Sequence, residues 1–413
     1  EKYKMTFHSR SILRKSCFLW NKQPCYGQVY NRKNYMTCHL NSTHLHLHHE
    51  HFESRRNNST NGSGSSNRTH FIFGANTDVG KSLVSTGLVR SALSSSCSIE
   101  GINDLQEKNR RREGEEEGDE HGNAFVGYIK PLQCGGSDEE FLLRNVSQQQ
   151  SNGKKINNIL HCKTLFRWES YSSPHLACRV ENKPVSNREV CDSLVQTLEE
   201  FYQEFQSLQK PTQFHPSMVT FVETAGGVLS PSSSSPLNTA TNSNVWGWTT
   251  QAQVYHSFRH SSSVVLVGDG KLGGISCTIT ALEALLHRGY TVDSVVFVDG
   301  DNVGLGNREA LMEYVENYNY EINELYDKTE DENKLQDKYH SEKAQSNQNH
   351  NPVNVPRQQN QLQPTDIFSL PSIPPLSEPL DQWFQNTGSI FNDIQQSLEN
   401  KKQKRVIAAD EWL

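Results

Sequence analysis

HFIFGANTDVGKS, residues 70–82, is the stretch that decides the fold of this chain. The apolar run at residues 71–73 predicts a buried strand. A loop follows from Gly74 and ends in Gly-Lys-Ser at residues 80–82, where a helical pattern begins. This order predicts a phosphate-binding loop, because it places a glycine-bounded loop and Lys-Ser between a strand and a helix.

The chemistry of such a loop follows from its geometry. Backbone N–H groups of the loop and of the first helical turn point at one place, and the helix dipole adds partial positive charge there. Lys81 supplies a mobile charge for the β- and γ-phosphates, and Ser82 supplies a hydroxyl for Mg²⁺. The common pattern has four residues before Gly-Lys, whereas residues 75–79 make five. The loop is therefore a variant, and an ordinary turn before a helix is the alternative.

Composition narrows the class of protein. The chain has 413 residues, of which 34% are hydrophobic and 21% charged, so we expect one globular domain with polar extensions and insertions. The formal charge of -7 gives no reason to invoke nucleic acid. Nine cysteines without CxxC pairs argue against a zinc ribbon or a disulfide framework and fit a reducing interior. We find no apolar run long enough to span a membrane and predict no membrane partner.

The order of predicted elements indicates the fold class. Apolar runs that read as strands alternate with helical patterns, which predicts an α/β fold: a P-loop NTPase-like parallel sheet with helices on both faces. The predicted strands are residues 71–73, 124–132, 218–222, 263–267, 290–298 and 367–376. The predicted helices are residues 82–93, 187–208, 245–258, 274–287 and 380–398. Residues 137–160 are polar and are predicted to form a loop.

Two predicted strands end in charged residues. In an open α/β sheet the ligand lies outside the carboxyl ends of the strands. Lys130 ends the second strand and would face the same crevice as the phosphate loop, with a surface lysine as the alternative. Glu223 ends the third strand and is followed by small residues at 224–227, which suits a Mg²⁺–phosphate site or, more simply, a strand-end cap. Asp138 could reach Mg²⁺ or remain solvated.

Several segments together resemble dethiobiotin synthetase, the ATP-dependent enzyme of the biotin pathway. They are GANTDVGKS at 74–82, YIKPLQCGG at 128–136, SSPHLA at 172–177, VETAGG at 222–227 and GDGKLGG at 268–274. They follow the family's order and cover about residues 70–305. The family's phosphate loop has the same extra residue. The chain looks like the plant and algal form, in which this domain precedes an aminotransferase domain; the chain ends at Leu413, so a truncated product and a single-function version are both open.

The resemblance implies a role for each matching residue. Lys81 would contact the ATP phosphates, and Lys130 matches the family's active-site lysine; these two are the predicted catalytic residues. Ser82, Glu223 and Asp138 would hold Mg²⁺. The predicted nucleotide-binding residues are Asp78, Val79, Gly80, Lys81, Ser82, Leu83, Glu223, Thr224, Ala225 and Gly226. The predicted substrate-binding residues are Cys134 and Gly227.

The chain also departs from the family's pattern. Cys134 stands where the family usually has Ser or Thr, and Thr224 stands where bacterial members commonly have Gly. Residues 299–300 replace the family's Asn-containing turn at the adenine site, and residues 374–376 are a candidate part of the nucleotide pocket.

The resemblance also suggests a division of the chain. Residues 1–69 are basic, poor in acids and rich in Ser and Asn, which is typical of a transit peptide and predicts a mitochondrial location, with a disordered tail as the alternative. Residues 70–326 are predicted to form the synthetase domain, with a disordered insertion at 94–123. Residues 327–364 are a predicted low-complexity insertion. Residues 365–413 are predicted to end the synthetase domain and form a helical linker.

The implied substrates are 7,8-diaminopelargonic acid and CO₂, with ATP and Mg²⁺ as cofactors and a homodimer as the assembly. Two other functions compete with this one. A related amide-forming synthetase would need a glutamine-handling domain, for which residues 375–413 are too short. A P-loop ATPase switch that binds a protein partner usually carries an extra lysine early in the loop, and residues 74–79 contain none.

Overall fold

The structure, a computed structural model, describes residues 67–95, 124–147, 158–208, 218–237, 245–298, 306–319, 365–375 and 377–410. Several predicted features fall outside these ranges. They are most of the presequence, the insertion from residue 96 to 123, the segment at 327–364, the turn at 299–300 and Leu376.

The described chain alternates between strands and helices. The strands are β1 (Asn67–Gly74), β2 (Phe125–Cys134), β3 (Ile159–Trp168), β4 (Met218–Glu223), β5 (Ser235–Pro236), β6 (Trp246–Gly247), β7 (Ser263–Gly268), β8 (Val292–Val298) and β9 (Asp366–Leu370). The helices are α1 (Lys81–Ser95), α2 (Asp138–Ser147), α3 (Pro174–Val180), α4 (Asn187–Leu208), α5 (Gln251–Val254), α6 (Gly274–Leu286), α7 (307–319), α8 (Leu380–Asn386) and α9 (Gly388–Asp410).

One sheet organises these elements. Its strand order is β3-β2-β4-β1-β7-β8-β9, and every neighbouring pair is parallel. β1 lies in the middle, with Ile72 opposite Glu223 of β4 and Gly74 opposite Val267 of β7. Because all strands run the same way, the phosphate loop after β1 and the ends of β2 and β4 lie at the same edge of the sheet.

Alternate residues of β1 face two separate cores. Phe71 and Phe73 pack on the side covered by α4 and α6, and Ile72 packs on the side covered by α1, α8 and α9. This two-sided burial explains why the strand reads as a continuous apolar run rather than an alternating one. The predicted α/β fold, a P-loop NTPase-like parallel sheet with helices on both faces, is confirmed. No helix in the described residues has the length and apolar character needed to cross a membrane.

The structure corrects the prediction of a loop at residues 137–160. Residues 138–147 form α2, which buries Leu142 and Val146 against the core that contains Ile72. Its first turn consists of three acidic residues, which the helix dipole favours but which read as a polar loop in the sequence. β3 begins at Ile159 and was not predicted; it is an edge strand that pairs with β2 alone and is mostly half-buried, so its sequence mixes polar and apolar residues.

Other boundaries also differ from the predicted ones. β1 begins at Asn67, inside the predicted presequence, and α1 ends at Ser95, inside the predicted insertion. The predicted helix at 245–258 is wrong over most of its length, because it contains β6, the one-turn helix α5 and a short 3₁₀ turn. The predicted helix at 380–398 is two helices, divided at Thr387, whose hydroxyl donates to the carbonyl of Trp383 and caps α8.

Candidate active site

The loop between β1 and α1 is shaped by two glycines. Gly74 is needed because a Cβ there would lie 2.9 Å from Nζ of Lys81 and 2.8 Å from the backbone oxygen of Asn76. Gly80 has φ +94°, and a Cβ there would lie 2.9 Å from Val298 at the end of β8. Glycine tolerates both the left-handed backbone and the close approach. The Lys81 side chain can therefore fold back across the loop.

The side chains around this loop divide between core and solvent. Val79 is buried and Leu83 partly buried in the core on the Ile72 side of the sheet, so their backbone atoms rather than their side chains could serve a phosphate. Asp78 is exposed and adopts a left-handed backbone with φ +58°. The first N–H groups of α1 have no carbonyl one turn earlier within the helix. The loop is thus built to offer N–H groups to an anion.

Lys81 is a buried cation. The residue is 8% exposed, and its Nζ donates to the backbone oxygen of Asn76 at 3.3 Å. Burial and then repulsion from Lys130 lower the pKa of Lys81 to about 8, against the attraction of Glu223 and Asp138. A phosphate group bound next to Lys81 would stabilise the charged form of the lysine and raise its pKa.

Lys130 joins two carboxylates. Its Nζ lies 2.7 Å from Oε1 of Glu223 and 2.7 Å from Oδ2 of Asp138. Lys130 is 3% exposed and Glu223 is 1% exposed, so this ion pair is inside the protein. Burial lowers the pKa of Lys130, but the attraction of Glu223 and then Asp138 outweighs burial and raises the pKa overall. Lys130 is therefore positively charged in this site.

Ser82 lies between the same two carboxylates. Its Oγ is 3.0 Å from Oδ1 of Asp138 and 3.0 Å from Oε1 of Glu223. Burial raises the pKa of Asp138, but Lys130 and the hydrogen bonds of Lys130 and Ser82 lower it overall, so the group is a carboxylate. Of the three side chains predicted to bind metal, Ser82 thus contacts both of the others.

These oxygens fit Mg²⁺. It is a hard cation that takes oxygen ligands, typically one or two carboxylates together with phosphate oxygens and water. Ser82, Asp138 and Glu223 supply a hydroxyl and two carboxylates next to the phosphate loop. The described residues contain no group of three or more His, Cys, Asp or Glu side chains that could hold a metal ion. Mg²⁺ at this place would therefore need the Ser82 hydroxyl, phosphate oxygens or water as further ligands.

Two further hydroxyls reach Glu223 and were not predicted from the sequence. Ser85 donates to Oε2 of Glu223 at 2.7 Å, and Tyr128 donates to the same oxygen at 2.9 Å. Burial, followed by Glu223, raises the pKa of Tyr128 well above its usual value, so its hydroxyl is protonated. Both positions carried a signal, because Ser85 is three residues after Ser82 on a helix and Tyr128 is two residues before Lys130 on a strand.

The segment after β4 runs beside the phosphate loop. The hydroxyl and the backbone N–H of Thr224 both donate to the carbonyl of Ile72 at 3.0 Å, so this side chain ties β4 to β1. Ala225 is partly buried against the core on the Phe71 side. Gly226 has φ +66°, and a Cβ there would lie 3.8 Å from the hydroxyl of Thr77. A Cβ at Gly227 would lie 3.1 Å from the backbone oxygen of Ala75.

Cys134 ends β2, four residues beyond Lys130. It is paired in register with Trp168 of β3 and is half-buried. Burial, with smaller contributions from Cys178 and Glu181, raises the pKa of its thiol to about 12, so the group is a neutral thiol. The next residue, Gly135, has φ +59°, and a Cβ there would lie 2.3 Å from the exposed ring of Tyr171.

Comparison with known proteins agrees with the motifs. An alignment of 294 positions that covers 60% of the chain is 30% identical to the mitochondrial bifunctional dethiobiotin synthetase/7,8-diamino-pelargonic acid aminotransferase of Arabidopsis thaliana. The chain is similar to bifunctional dethiobiotin synthetases. The protein of the same name from Oryza sativa subsp. japonica is 31% identical over 59% of the chain. The bifunctional dethiobiotin synthetase/adenosylmethionine-8-amino-7-oxononanoate aminotransferase of Emericella nidulans is 29% identical over 57% of the chain.

The similarity covers a part of these enzymes. The matched region spans 30%, 29% and 22% of the three relatives, respectively. The chain matches no protein-family model. The resemblance to the plant bifunctional dethiobiotin synthetases that the sequence motifs predicted is confirmed by these relatives.

Proposed function

We propose that this chain is a dethiobiotin synthetase, which uses ATP and Mg²⁺ to convert 7,8-diaminopelargonic acid and CO₂ into dethiobiotin in biotin biosynthesis. One observation carries the proposal. Lys130 of β2 and Glu223 at the end of β4 contact each other at 2.7 Å. Asp138 contacts Lys130, and Ser82 beside the loop contacts both Asp138 and Glu223. The names of the three relatives supply the substrate class.

The loop would bind the nucleotide. Backbone N–H groups of residues 78–83 would hold the phosphates, and Lys81 would contact the β- and γ-phosphates. Ser82, Asp138 and Glu223 would hold Mg²⁺, which when bound neutralises phosphate charge. Residues 224–226 lie alongside the loop and are proposed to complete this pocket, while Cys134 and Gly227 are proposed to contact the substrate.

The reaction needs charge stabilisation more than covalent help. One amine of the substrate takes up CO₂ as a carbamate, and a carbamate oxygen forms a bond to the γ-phosphorus as ADP leaves. The second amine then attacks the carbonyl carbon, and phosphate leaves as the ring closes. Lys81 and Lys130 are proposed to hold the carbamate and the transferring phosphoryl group in line and to offset the negative charge that builds there.

A turnover assay tests the proposal. The purified chain is given 7,8-diaminopelargonic acid, bicarbonate, ATP and Mg²⁺, and dethiobiotin is measured by mass spectrometry. We expect product from the wild type and none above background from Lys81→Ala or Lys130→Ala. Lys163→Ala is the matched control, because Lys163 is an exposed strand lysine paired with Glu200. If the rate of phosphate release does not rise with the diamine and bicarbonate but rises with a partner protein, the chain would be an ATPase switch instead.

We further propose that residues 70–326 and 365–413 build one synthetase domain. β9 extends the sheet by pairing with β8, and α9 packs against α1, where Phe391 occupies the space left by Gly87. A homodimer and a mitochondrial location are proposed on the resemblance. Light scattering of the purified chain and imaging of the full-length protein test these two statements.

A further inference from the structure

The two oxygens of the Glu223 carboxylate have different neighbours. Oε1 is 2.7 Å from the ammonium of Lys130 and 3.0 Å from the hydroxyl of Ser82. Oε2 accepts from the hydroxyls of Ser85 at 2.7 Å and Tyr128 at 2.9 Å. One oxygen therefore faces the proposed reaction centre, and the other faces two neutral donors.

The two donors on Oε2 are enclosed by protein. Ser85 and Tyr128 are both fully buried. Ser85 comes from α1, the helix that carries Lys81 and Ser82, and Tyr128 comes from β2, the strand that carries Lys130. The elements that supply the loop and the lysine thus also supply the groups that hold the far side of the carboxylate.

A glutamate needs such support to bind a metal in one geometry. Its side chain has three rotatable bonds, and a carboxylate that is free to turn can present either oxygen or both. Two hydrogen bonds to one oxygen fix the plane of the group and direct the other oxygen. The neutral hydroxyls also satisfy Oε2 without competing for the negative charge as a second ammonium would.

We propose that Ser85 and Tyr128 are positioning residues for the metal, which hold Oε2 of Glu223 so that Oε1 alone is presented beside Ser82. This inference rests on the proposed Mg²⁺ site. Ser85 and Tyr128 act through Glu223, and their removal weakens metal binding while the nucleotide still occupies the loop.

The test measures metal affinity directly. Mn²⁺ replaces Mg²⁺ as a paramagnetic probe, and its binding to the protein in complex with a non-hydrolysable ATP analogue is followed by electron paramagnetic resonance. Loss of a hydrogen-bond partner behind a metal ligand typically costs about 10–100-fold in affinity. We expect about a tenfold loss for Tyr128→Phe and for Ser85→Ala, and Ser85→Thr, which keeps the hydroxyl, should recover most of the affinity.

Two matched variants control for burial. Tyr255 is a fully buried tyrosine on the other face of the sheet, and its hydroxyl has no hydrogen-bond partner within the described structure. Tyr255→Phe should leave Mn²⁺ affinity unchanged. Ser91→Ala removes another buried hydroxyl of α1, whose partners include Asn392 and Gln395 of α9. This variant should also leave Mn²⁺ affinity unchanged.

The outcomes separate this inference from the proposed function. Wild-type Mn²⁺ affinity in a folded Ser85→Ala/Tyr128→Phe double variant would overturn the positioning role, even if the wild type makes dethiobiotin. A wild type that makes no dethiobiotin, with weakened Mn²⁺ binding in both single variants, would overturn the function and support the positioning role. If the double variant does not fold, the comparison of Ser85→Ala with Ser85→Thr decides: equal affinities in these two would overturn the positioning role.

Discussion

Nζ of Lys130 lies 2.7 Å from Oε1 of Glu223, although 93 positions separate the two residues along the chain. The same ammonium is 2.7 Å from Asp138. A buried cation held by two carboxylates is the arrangement that a divalent cation would enter, because Mg²⁺ would compete with Lys130 for the same oxygens.

The first prediction concerns Lys130 and stability. In the absence of Mg²⁺, Lys130→Met should lower the free energy of unfolding by about 3–5 kcal/mol, because it leaves buried Glu223 without its cation. Added Mg²⁺ should restore part of this loss by binding the folded state. Urea unfolding with and without Mg²⁺ measures both effects.

A control separates this loss from that of an ordinary lysine. Lys163→Met removes an exposed ion pair with Glu200 and should cost at most about 1 kcal/mol. Equal losses in the two variants would contradict the burial of the Lys130 ion pair. No response of Lys130→Met to Mg²⁺ would contradict a metal site at the carboxylates that Lys130 contacts.

The second prediction concerns Lys81 and pH. Burial and Lys130 lower its pKa in the folded protein to about 8 from 10.5. Between these values the unfolded chain holds one more proton than the folded protein, so stability without nucleotide should rise with pH from about 8 to 10.5. Nucleotide affinity should change in the opposite direction and fall above about pH 8, because the phosphates bind the charged form of Lys81.

Binding titrations of an ATP analogue between pH 7 and 9.5 measure the fall in affinity. Above about pH 8 the affinity should fall by up to about tenfold per pH unit, because Lys81 takes up about one proton when the nucleotide binds. Lys81→Arg keeps a charge throughout this range and should remove the slope. A wild-type affinity that does not change with pH would show that Lys81 is already charged in the free protein.

The third prediction concerns Gly74. A Cβ there would lie 2.8 Å from the backbone oxygen of Asn76 and 2.9 Å from Nζ of Lys81, so either the loop or the lysine must move. We expect Gly74→Ala to reduce nucleotide affinity by about tenfold, since the displaced lysine loses a charge-assisted contact to phosphate. Calorimetric titration with an ATP analogue measures this.

Gly388→Ala is the control for the removal of a glycine. It stands at the start of α9, and a Cβ there would have no neighbour within 4 Å. This variant should leave nucleotide affinity unchanged and should not lower the melting temperature. Unaltered binding in Gly74→Ala would mean that Lys81 does not need the position seen here.

The fourth prediction concerns Cys134. With a thiol pKa of about 12, the residue should resist iodoacetamide at pH 8, which mass spectrometry of labelled peptides can follow. Cys134→Ser should remain active and lower the KM for the diamine substrate, because a hydroxyl is a stronger hydrogen-bond donor than a thiol. Cys134→Ala should not lower it. The same KM in all three proteins would remove Cys134 from the substrate site.

Burial explains which elements could be predicted from the sequence. α4 was predicted at its observed bounds, because Val190, Leu194 and Leu198 repeat at helical spacing over several turns. β3 could not be predicted in this way, because an edge strand meets one neighbour and tolerates charged residues such as Lys163 and Arg167. α2 is short, and its acidic first turn hides the spacing of Leu142 and Val146.

Local spacing was sufficient to predict the loop between β1 and α1. Gly74, Gly80, Lys81 and Ser82 lie within nine consecutive positions, and the turn, the helix start and the lysine are set by backbone chemistry over that distance. Sequence reasoning also placed Glu223 at the end of its strand, and β4 does end there. The predicted strand end at Lys130 is wrong, because β2 continues through Pro131 to Cys134, where it pairs with β3.

The tertiary structure decided how these residues meet. β4 inserts between β1 and β2, and this order brings Glu223 against Lys130 and Ser82, while α2 brings in Asp138. The same strand order brings Ser85 and Tyr128 to Oε2 of Glu223. Pairing between strands depends on residues far apart along the chain, and no spacing in the sequence encodes which strands become neighbours.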